Sequence, residues 1–429
     1  MRRNLHVGVL VLAMCLGLLA TGPSTASAAG RYDPPGGVLF NNPLGTTAER
    51  QAIFEHLLRS VKSSPKNSKI RMATWNFKSP RLTDALVEAH RRGVSVRITM
   101  SSGNANADNP NPNYDRLARV FAGRANAKRP ADMTSWIKLC RGACRGKHGI
   151  AHTKVYLFSK VGPARNVIMF GSANATDASA RYQWNDMFTL KGRPAMWKRW
   201  EQILTEMAND KPVRKPFQTF GPQRLTAVVY PFSGPTAPKT DIMLSELRRI
   251  RCAGAVNAGV RGKTSIRIAQ TAWTDDRGMA LAQRVRSMWD RGCDIRVIYA
   301  MMGTKIYHYL RSPSGRGPVP MAHIVQDWNL DGIYDRYLHT KVMTVSGVYR
   351  DNRSANFTWN GSSNWTSKSL RSDEELFRIE GPVVRRQYAR WIDKVFNNPP
   401  PRPELDETTM LRRSIDTRAV DPYAHMELD

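Results

Sequence analysis

Two tripeptides carry residues that could do chemistry: His152-Thr153-Lys154 and His339-Thr340-Lys341. Each is followed by a Gly-Ser-x-Asn element, Gly171 to Asn174 and Gly361 to Asn364, and then by an acid-led strand pattern starting at Asp186 or Glu375. A lone histidine would be read as an ordinary core or surface residue; its repetition with a lysine and an asparagine reverses that reading. Cleaving a phosphodiester without a metal calls for a nucleophile on phosphorus, an acid for the leaving oxygen, cationic charge for the phosphoryl oxygens and donors to fix their geometry. Two imidazoles, with an ordinary pKa of about 6.5, can share the first two tasks near neutral pH. Lys154, Lys341, Asn174 and Asn364 supply charge and hydrogen bonds, with Ser172 and Ser362 as further candidate contacts to substrate. The histidine and lysine of each tripeptide are two residues apart, so on a strand they share a face while Thr153 and Thr340 point away. An attacking imidazole also needs a carboxylate on its second ring nitrogen to set tautomer and orientation. Asp186 and Glu375 take that place when the copies are aligned on Gly192 and Gly381, with Glu374 as an alternative register for Glu375.

The elements that must position these residues come in two copies as well. Lys69 to Ala73 and Ser265 to Ala269 alternate like strands, and each is followed by a tryptophan, Trp75 or Trp273. Helical patterns follow, Leu82 to Arg92 and Met279 to Arg291, with apolar residues at three- and four-residue spacing. Gly93 and Gly292 stand where a helix would be capped. Second strands come next, Val94 to Ile98 and Ile295 to Ile298. Strand, helix, strand predicts a parallel pair with a right-handed crossover in each half. Five blocks matching in the same order indicate a duplication. A Pro- and Lys-rich joint, Lys211 to Pro222, ends a helix expected from Ala195 to Met207. The predicted halves are residues 30–222 and 223–396, and the Pro-rich tail 397–429 reads as a loosely ordered strap.

In these motifs the chain resembles the phospholipase D superfamily, whose signature joins H-x-K-x₄-D to a glycine-led asparagine motif. The resemblance spans nearly all of residues 30–396, and two copies at equivalent places make it specific. It implies an α/β fold of two pseudo-twofold-related α/β/α sandwich halves, with mixed sheets packed so that both motifs meet at the interface. It implies a phosphohistidine intermediate, no cofactor and no metal, with His152 as nucleophile and His339 as general acid. There is one departure: the family aspartate, seven residues after the histidine, is replaced by Ser159 and Ser346. That residue supports rather than reacts, so the chemistry stays open to this chain.

Residues 1–29 read as an export signal, with Arg2 and Arg3, an apolar run from Val7 to Ala20, and Ala26-Ser27-Ala28 before Ala29. That run is too short to span a membrane. Removing the signal takes two of the 65 basic residues and none of the 35 acidic ones, leaving a net charge of +28. Such a surface favours polyanionic partners: a phospholipid or membrane surface, or nucleic acid. The expected product is a secreted, monomeric phosphodiesterase of the phospholipase D type; a nuclease and a non-catalytic polyanion binder are the rivals. Four cysteines remain and allow three pairings; Cys140–Cys144 with Cys252–Cys293 is the preferred one, and a zinc site is the alternative, against which the absence of a C-x₂-C spacing speaks. Trp75 and Trp273 close matching strands, where α/β proteins place ligands, and are candidate cleft walls, with core packing as the alternative. Trp365, next to Asn364, is a candidate for the rim. His148 reads as loop surface, Gly303 to Met321 as a long loop near the site, and Asp327 to Gly332 as a turn rather than a calcium loop.

Overall fold

The computed structural model describes residues 32–232, 240–401 and 421–427; the export signal read at residues 1–29 lies outside them. The predicted βαβ units form in both halves. Lys69–Thr74 pairs in parallel with Ser95–Ser101, and Ser265–Trp273 with Asp294–Met302, each through the expected crossover helix, Pro80–Arg91 or Asp275–Asp290. The first helix starts where the sequence prepares it: Ser79 accepts a hydrogen bond from the Leu82 N–H, and Pro80 occupies the first turn, where no donor is lost. Its inner face, Leu82, Ala85, Leu86 and Ala89, is buried. Each large apolar side chain removed from water there contributes about 1.5–3 kcal/mol.

Around each unit grows a mixed sheet with the same order. The first runs Gly37–Phe40, Asp186–Leu190, Ala164–Gly171, Val155–Val161, Lys69–Thr74, Ser95–Ser101, Trp136–Cys140. The second runs Gln218–Phe220, Leu225–Val229, Glu375–Glu380, Asn352–Gly361, Lys341–Tyr349, Ser265–Trp273, Asp294–Met302, Met321–His323. Seven strands correspond, and Gln218–Phe220 is an extra edge that joins the second sheet from within the predicted joint.

Three apolar cores give the layers. One outer core packs Thr47–Lys62, Pro80–Arg91 and Pro112–Phe121 on the first sheet, and the other packs Ile242–Arg248, Asp275–Asp290 and Thr304–Arg311 on the second. Between the sheets lies a shared core that holds the last helix of each half, Pro194–Met207 and Pro382–Asn397. There Phe170 of one sheet stacks on Phe377 of the other, with ring centroids 3.4 Å apart. Cys140 is bonded to Cys144 and Cys252 to Cys293, as the spacing suggested.

Two readings need correction. Gly303 to Met321 is not one long loop: Thr304–Arg311 is helical, because Ile306 and Leu310 find a buried seat while the residues between them stay at the surface. Of the tail read as a loosely ordered strap, residues 402–420 lie outside those described, and residues 421–427 instead pack against the body with Met426 in the shared core. No helix among the described residues is long and apolar enough to cross a membrane.

Candidate active site

The two H-x-K tripeptides do not sit on strands, as their spacing suggested. They form extended approaches to Val155–Val161 and Lys341–Tyr349, with Lys341 as the first strand residue of its copy. The cause is their pairing across the seam. The His152 N–H donates to the Asp373 carbonyl at 2.9 Å, and the His339 N–H to the Trp184 carbonyl at 2.9 Å. Just before each histidine the halves exchange parallel contacts, Ala151 with Asp373 on one side and Tyr337–Leu338 with Gln183–Trp184 on the other. Each tripeptide is thus held by the opposite half, and both histidines enter one site. Each lysine ammonium then folds back to donate to its own histidine's carbonyl, Lys154 to His152 and Lys341 to His339, both at 2.7 Å.

The imidazoles are oriented by residues one position before those expected. Both oxygens of Glu374 lie 2.9 Å from Nδ1 of His152. Nδ1 of His339 lies 2.9 Å from Oδ1 of Asn185. Glu374 and Asn185 are counterparts in the duplication, so the register slips by one in both halves. Glu375 and Asp186 open their strands, and alternation along a strand turns them to the other face. There Glu375 accepts the Lys154 N–H at 3.0 Å. Asp186 accepts from the Tyr388 hydroxyl at 2.7 Å and from the Asn360 amide at 3.2 Å, away from the imidazoles. Asn185, Asp373, Tyr388 and Gln183 escaped the sequence reading. The only signal for Asn185 was its alignment with Glu374, and an amide does not announce itself as an orienting group.

The Gly-Ser-x-Asn elements explain their own composition. A Cβ on Gly171 would meet the Asp186 carbonyl oxygen at 2.5 Å, and one on Gly361 the Glu375 carbonyl oxygen at 2.1 Å. Only glycine lets the strand that carries the orienting residues come this close. Ser172 donates to Asn185 Oδ1 at 2.7 Å and receives the Asp186 N–H at 3.0 Å. Its counterpart Ser362 lies between the carboxyls of Glu374 and Glu375, 2.9 Å from the latter. The two serines therefore brace the orienting groups. Asn174 accepts from the Thr74 hydroxyl at 3.3 Å and keeps its amide protons toward the site, while Asn364 accepts the Ala272 N–H at 3.2 Å. Trp75 presents its ring edgewise to His152 at 6.1 Å and is part-exposed, as a cleft wall should be. Trp273 and Trp365 do not line a cleft; they are buried and pack on each other at 4.4 Å in the outer core of the second half. Ser159 and Ser346 lie far along their strands and receive the Lys69 and Gly259 N–H groups at 2.8 and 3.0 Å, a bracing task that needs no carboxylate. His148 is exposed in its loop.

Electrostatics follow from burial. His152, Lys154, Asn174, His339, Lys341 and Asn364 are each at most 4 % exposed. Desolvation holds the His339 pKa well below its ordinary value, and its neighbours Lys341, Lys154 and His152 push it the same way. Burial raises the carboxyls opposite: Asp373 to about 7, Glu374 to about 7 and Glu375 to about 8. Asp186 is raised as well, burial outweighing its bonds to Tyr388, Asn360 and Ser172. An anion entering beside His152 and His339 would find two ammonium groups and an asparagine amide. The arrangement suits attack on, and protonation of, a phosphodiester. No group of His, Cys, Asp and Glu that could hold a metal ion occurs among the described residues. A cavity of about 540 Å³, lined by Phe40, Leu44, Trp184 and Trp391 among others, contains none of these site residues.

Comparison with known proteins agrees with the duplication. The family model described as cardiolipin synthase, PLD-like domain, matches residues 57–208 and again residues 260–397. No curated protein matches the chain in sequence. Among solved structures, the phosphatidylserine synthase of Haemophilus influenzae aligns with a TM-score of 0.52 at 10% identity, over 84% of this chain and 86% of its own. The polyphosphate kinase of Porphyromonas gingivalis aligns with a TM-score of 0.52 at 12% identity over 83% of this chain, which spans about half, 49%, of the kinase. Nuc of Salmonella typhimurium, a phospholipase D family member, aligns at 20% identity and a TM-score of 0.29 over 41% of this chain and 96% of its own. Matched twice by one family model, and folded as two equivalent halves that each send an H-x-K motif into a common site, the chain belongs to the phospholipase D superfamily of phosphodiester-processing enzymes.

Proposed function

We propose that the protein is a secreted phospholipase D that hydrolyses the phosphodiester of a phospholipid through a phosphohistidine. The observation that carries this reading is the single buried site in which His152 and His339, from opposite halves, stand among Lys154, Lys341 and Asn174. His152 attacks phosphorus through Nε2, with Glu374 on Nδ1 supporting the positive ring of the intermediate. The bond from phosphorus to the headgroup oxygen breaks, and that oxygen takes its proton from His339. Water, deprotonated by His339, then displaces the imidazole and releases phosphatidic acid; an alcohol in place of water gives headgroup exchange.

Lipid is favoured over nucleic acid by large apolar side chains exposed at the surface, of which Trp328 lines a cavity with Gln183 and Tyr337. Tyr307 and Tyr309 stand on the helix that follows Asp294–Met302, and Trp328 lies next to Tyr182. On a chain with a formal net charge of +30 they suit an anionic bilayer. The nuclease reading keeps the support of the +30 formal charge of the whole chain. The test is to incubate the protein, with EDTA present, with phosphatidylcholine vesicles and separately with plasmid DNA. Choline release is the expected result; nicked plasmid without choline would replace the lipase by the nuclease, and neither would leave a polyanion binder. His152→Asn should abolish turnover, a loss of about 10³-fold or more.

A further inference from the structure

The catalytic groups are covered, and the described tail residues lie over them. Residues 421–427 run along the seam, with the Pro422 carbonyl accepting the Tyr334 N–H at 2.9 Å and Tyr423 edge-on to Tyr334 at 5.4 Å. Met426 enters the shared core. The Glu427 N–H donates to the Tyr337 hydroxyl at 2.7 Å, which fixes the last described residue beside His339, whose ring lies 5.9 Å from that of Tyr337. The Glu427 carboxylate then accepts from Asn174 at 2.7 Å and from Gln183 at 2.9 Å through one oxygen. Asn174 is the donor assigned above to a phosphoryl oxygen. A carboxylate carries the same single negative charge as a phosphodiester and presents the same kind of acceptor, so the two compete for that amide and for the field of Lys154 and Lys341. Beside the segment lies a cavity of about 310 Å³ lined by Tyr182, Trp328, Tyr337, His425 and Glu427.

We infer that residues 421–427 are an intramolecular competitive ligand of the phosphate site: Glu427 holds the place of a phosphoryl oxygen on Asn174, and substrate enters only when the segment leaves. The inference rests on the phosphodiesterase reading. Release leaves both sheets intact, because the segment contributes no strand to either of them. As part of the same chain it competes intramolecularly, which disfavours dilute phosphate while a substrate that brings its own apolar contacts can still displace it. The phospholipid proposed above is such a substrate.

The experiment is calorimetric titration of the full chain with inorganic phosphate, in the parent protein, in Glu427→Ala and in Met426→Ser. The first variant removes the competing anion and the second loosens its anchor, and thermal melts confirm that both remain folded. Phosphate should bind at least fivefold tighter in both variants, and the KM for phospholipid vesicles should fall in step with kcat unchanged. Equal or weaker phosphate binding in both variants would overturn the plug while leaving the phosphate site standing. Absence of phosphate binding in all three proteins would overturn the phosphate site itself, and the plug with it.

Discussion

Asn185 and Glu374 occupy matching positions, yet one offers an amide oxygen and the other a carboxylate to the imidazole of the opposite half. A carboxylate supports an imidazolium far more than an amide does, so the two imidazoles are backed by different chemistry although their tripeptides are identical. For His339 the consequence is direct: burial and the surrounding cations lower its pKa, and only the Glu427 main chain acts in the other direction. As general acid it must hold a proton before the leaving oxygen departs, so kcat/KM should fall as pH rises through its pKa in the free enzyme. Asn185→Asp sets a negative charge against Nδ1, raises that pKa, and should move the falling limb up by about one pH unit or more. A pH profile of kcat/KM for the two proteins reads this; an unmoved limb would show that His339 is not the acid.

Where the Gly-Ser-x-Asn turns meet the neighbouring strands, backbone touches backbone, and this contact sets the reach of the orienting residues. Gly361 faces the Glu375 carbonyl with no room for a methyl group, so Gly361→Ala must push Glu375–Glu380 outward and draw Glu374 away from His152. The variant should lose more than about tenfold in kcat, a misplacement effect, and about 1–3 kcal/mol of stability from strain. Gly192→Ala is the control: its positive φ costs stability, but its Cβ would meet nothing within 4 Å and the site should keep its activity. Steady-state kinetics and denaturant melts separate the two. The strands, the crossover helices and their parallel pairing were all legible in the sequence, because period-two and helical patterns report directly which face is buried. The register of Asp186 and Glu375 was not. A one-residue slip exchanges faces, and two acids in succession, Glu374 and Glu375, left both registers open.

Across the whole molecule, the buried acids Asp373, Glu374 and Glu375 set how stability responds to pH. Their folded pKa values, about 7, 7 and 8, stand above the ordinary range of unfolded carboxyls, about 4. Between those limits the folded state keeps protons that the unfolded chain has released, so each group destabilises the fold as pH rises. Buried His56 and His90, lowered to about 4 mainly by desolvation, act oppositely: the unfolded chain binds their protons below about 6.5, and stability grows as pH climbs to that point. The two effects offset up to about pH 6.5, and above it only the acids remain. The melting temperature should therefore decline from pH 6.5 to 8, and Glu375→Gln should flatten the decline. Differential scanning calorimetry across that range checks it, and an unchanged slope in the variant would remove Glu375 from the account.

Local pattern was enough to reveal the duplication and the α/β layers and to single out His152, Lys154, Asn174, His339, Lys341 and Asn364, because each of these residues belongs to a contiguous motif that recurs in the other half; the cysteine pairing, which no repeat echoes, was settled by the fold. Contacts across the seam were decided only by the tertiary structure. Glu374 meets His152 over 222 residues of chain, Asn185 meets His339 over 154, and Glu427 reaches Asn174 over 253. Such partners share no periodicity with the groups they serve. Their meeting depends on how two twisted sheets dock, and that is settled by the shared core of Phe170, Trp200 and Phe377 rather than by any spacing along the chain.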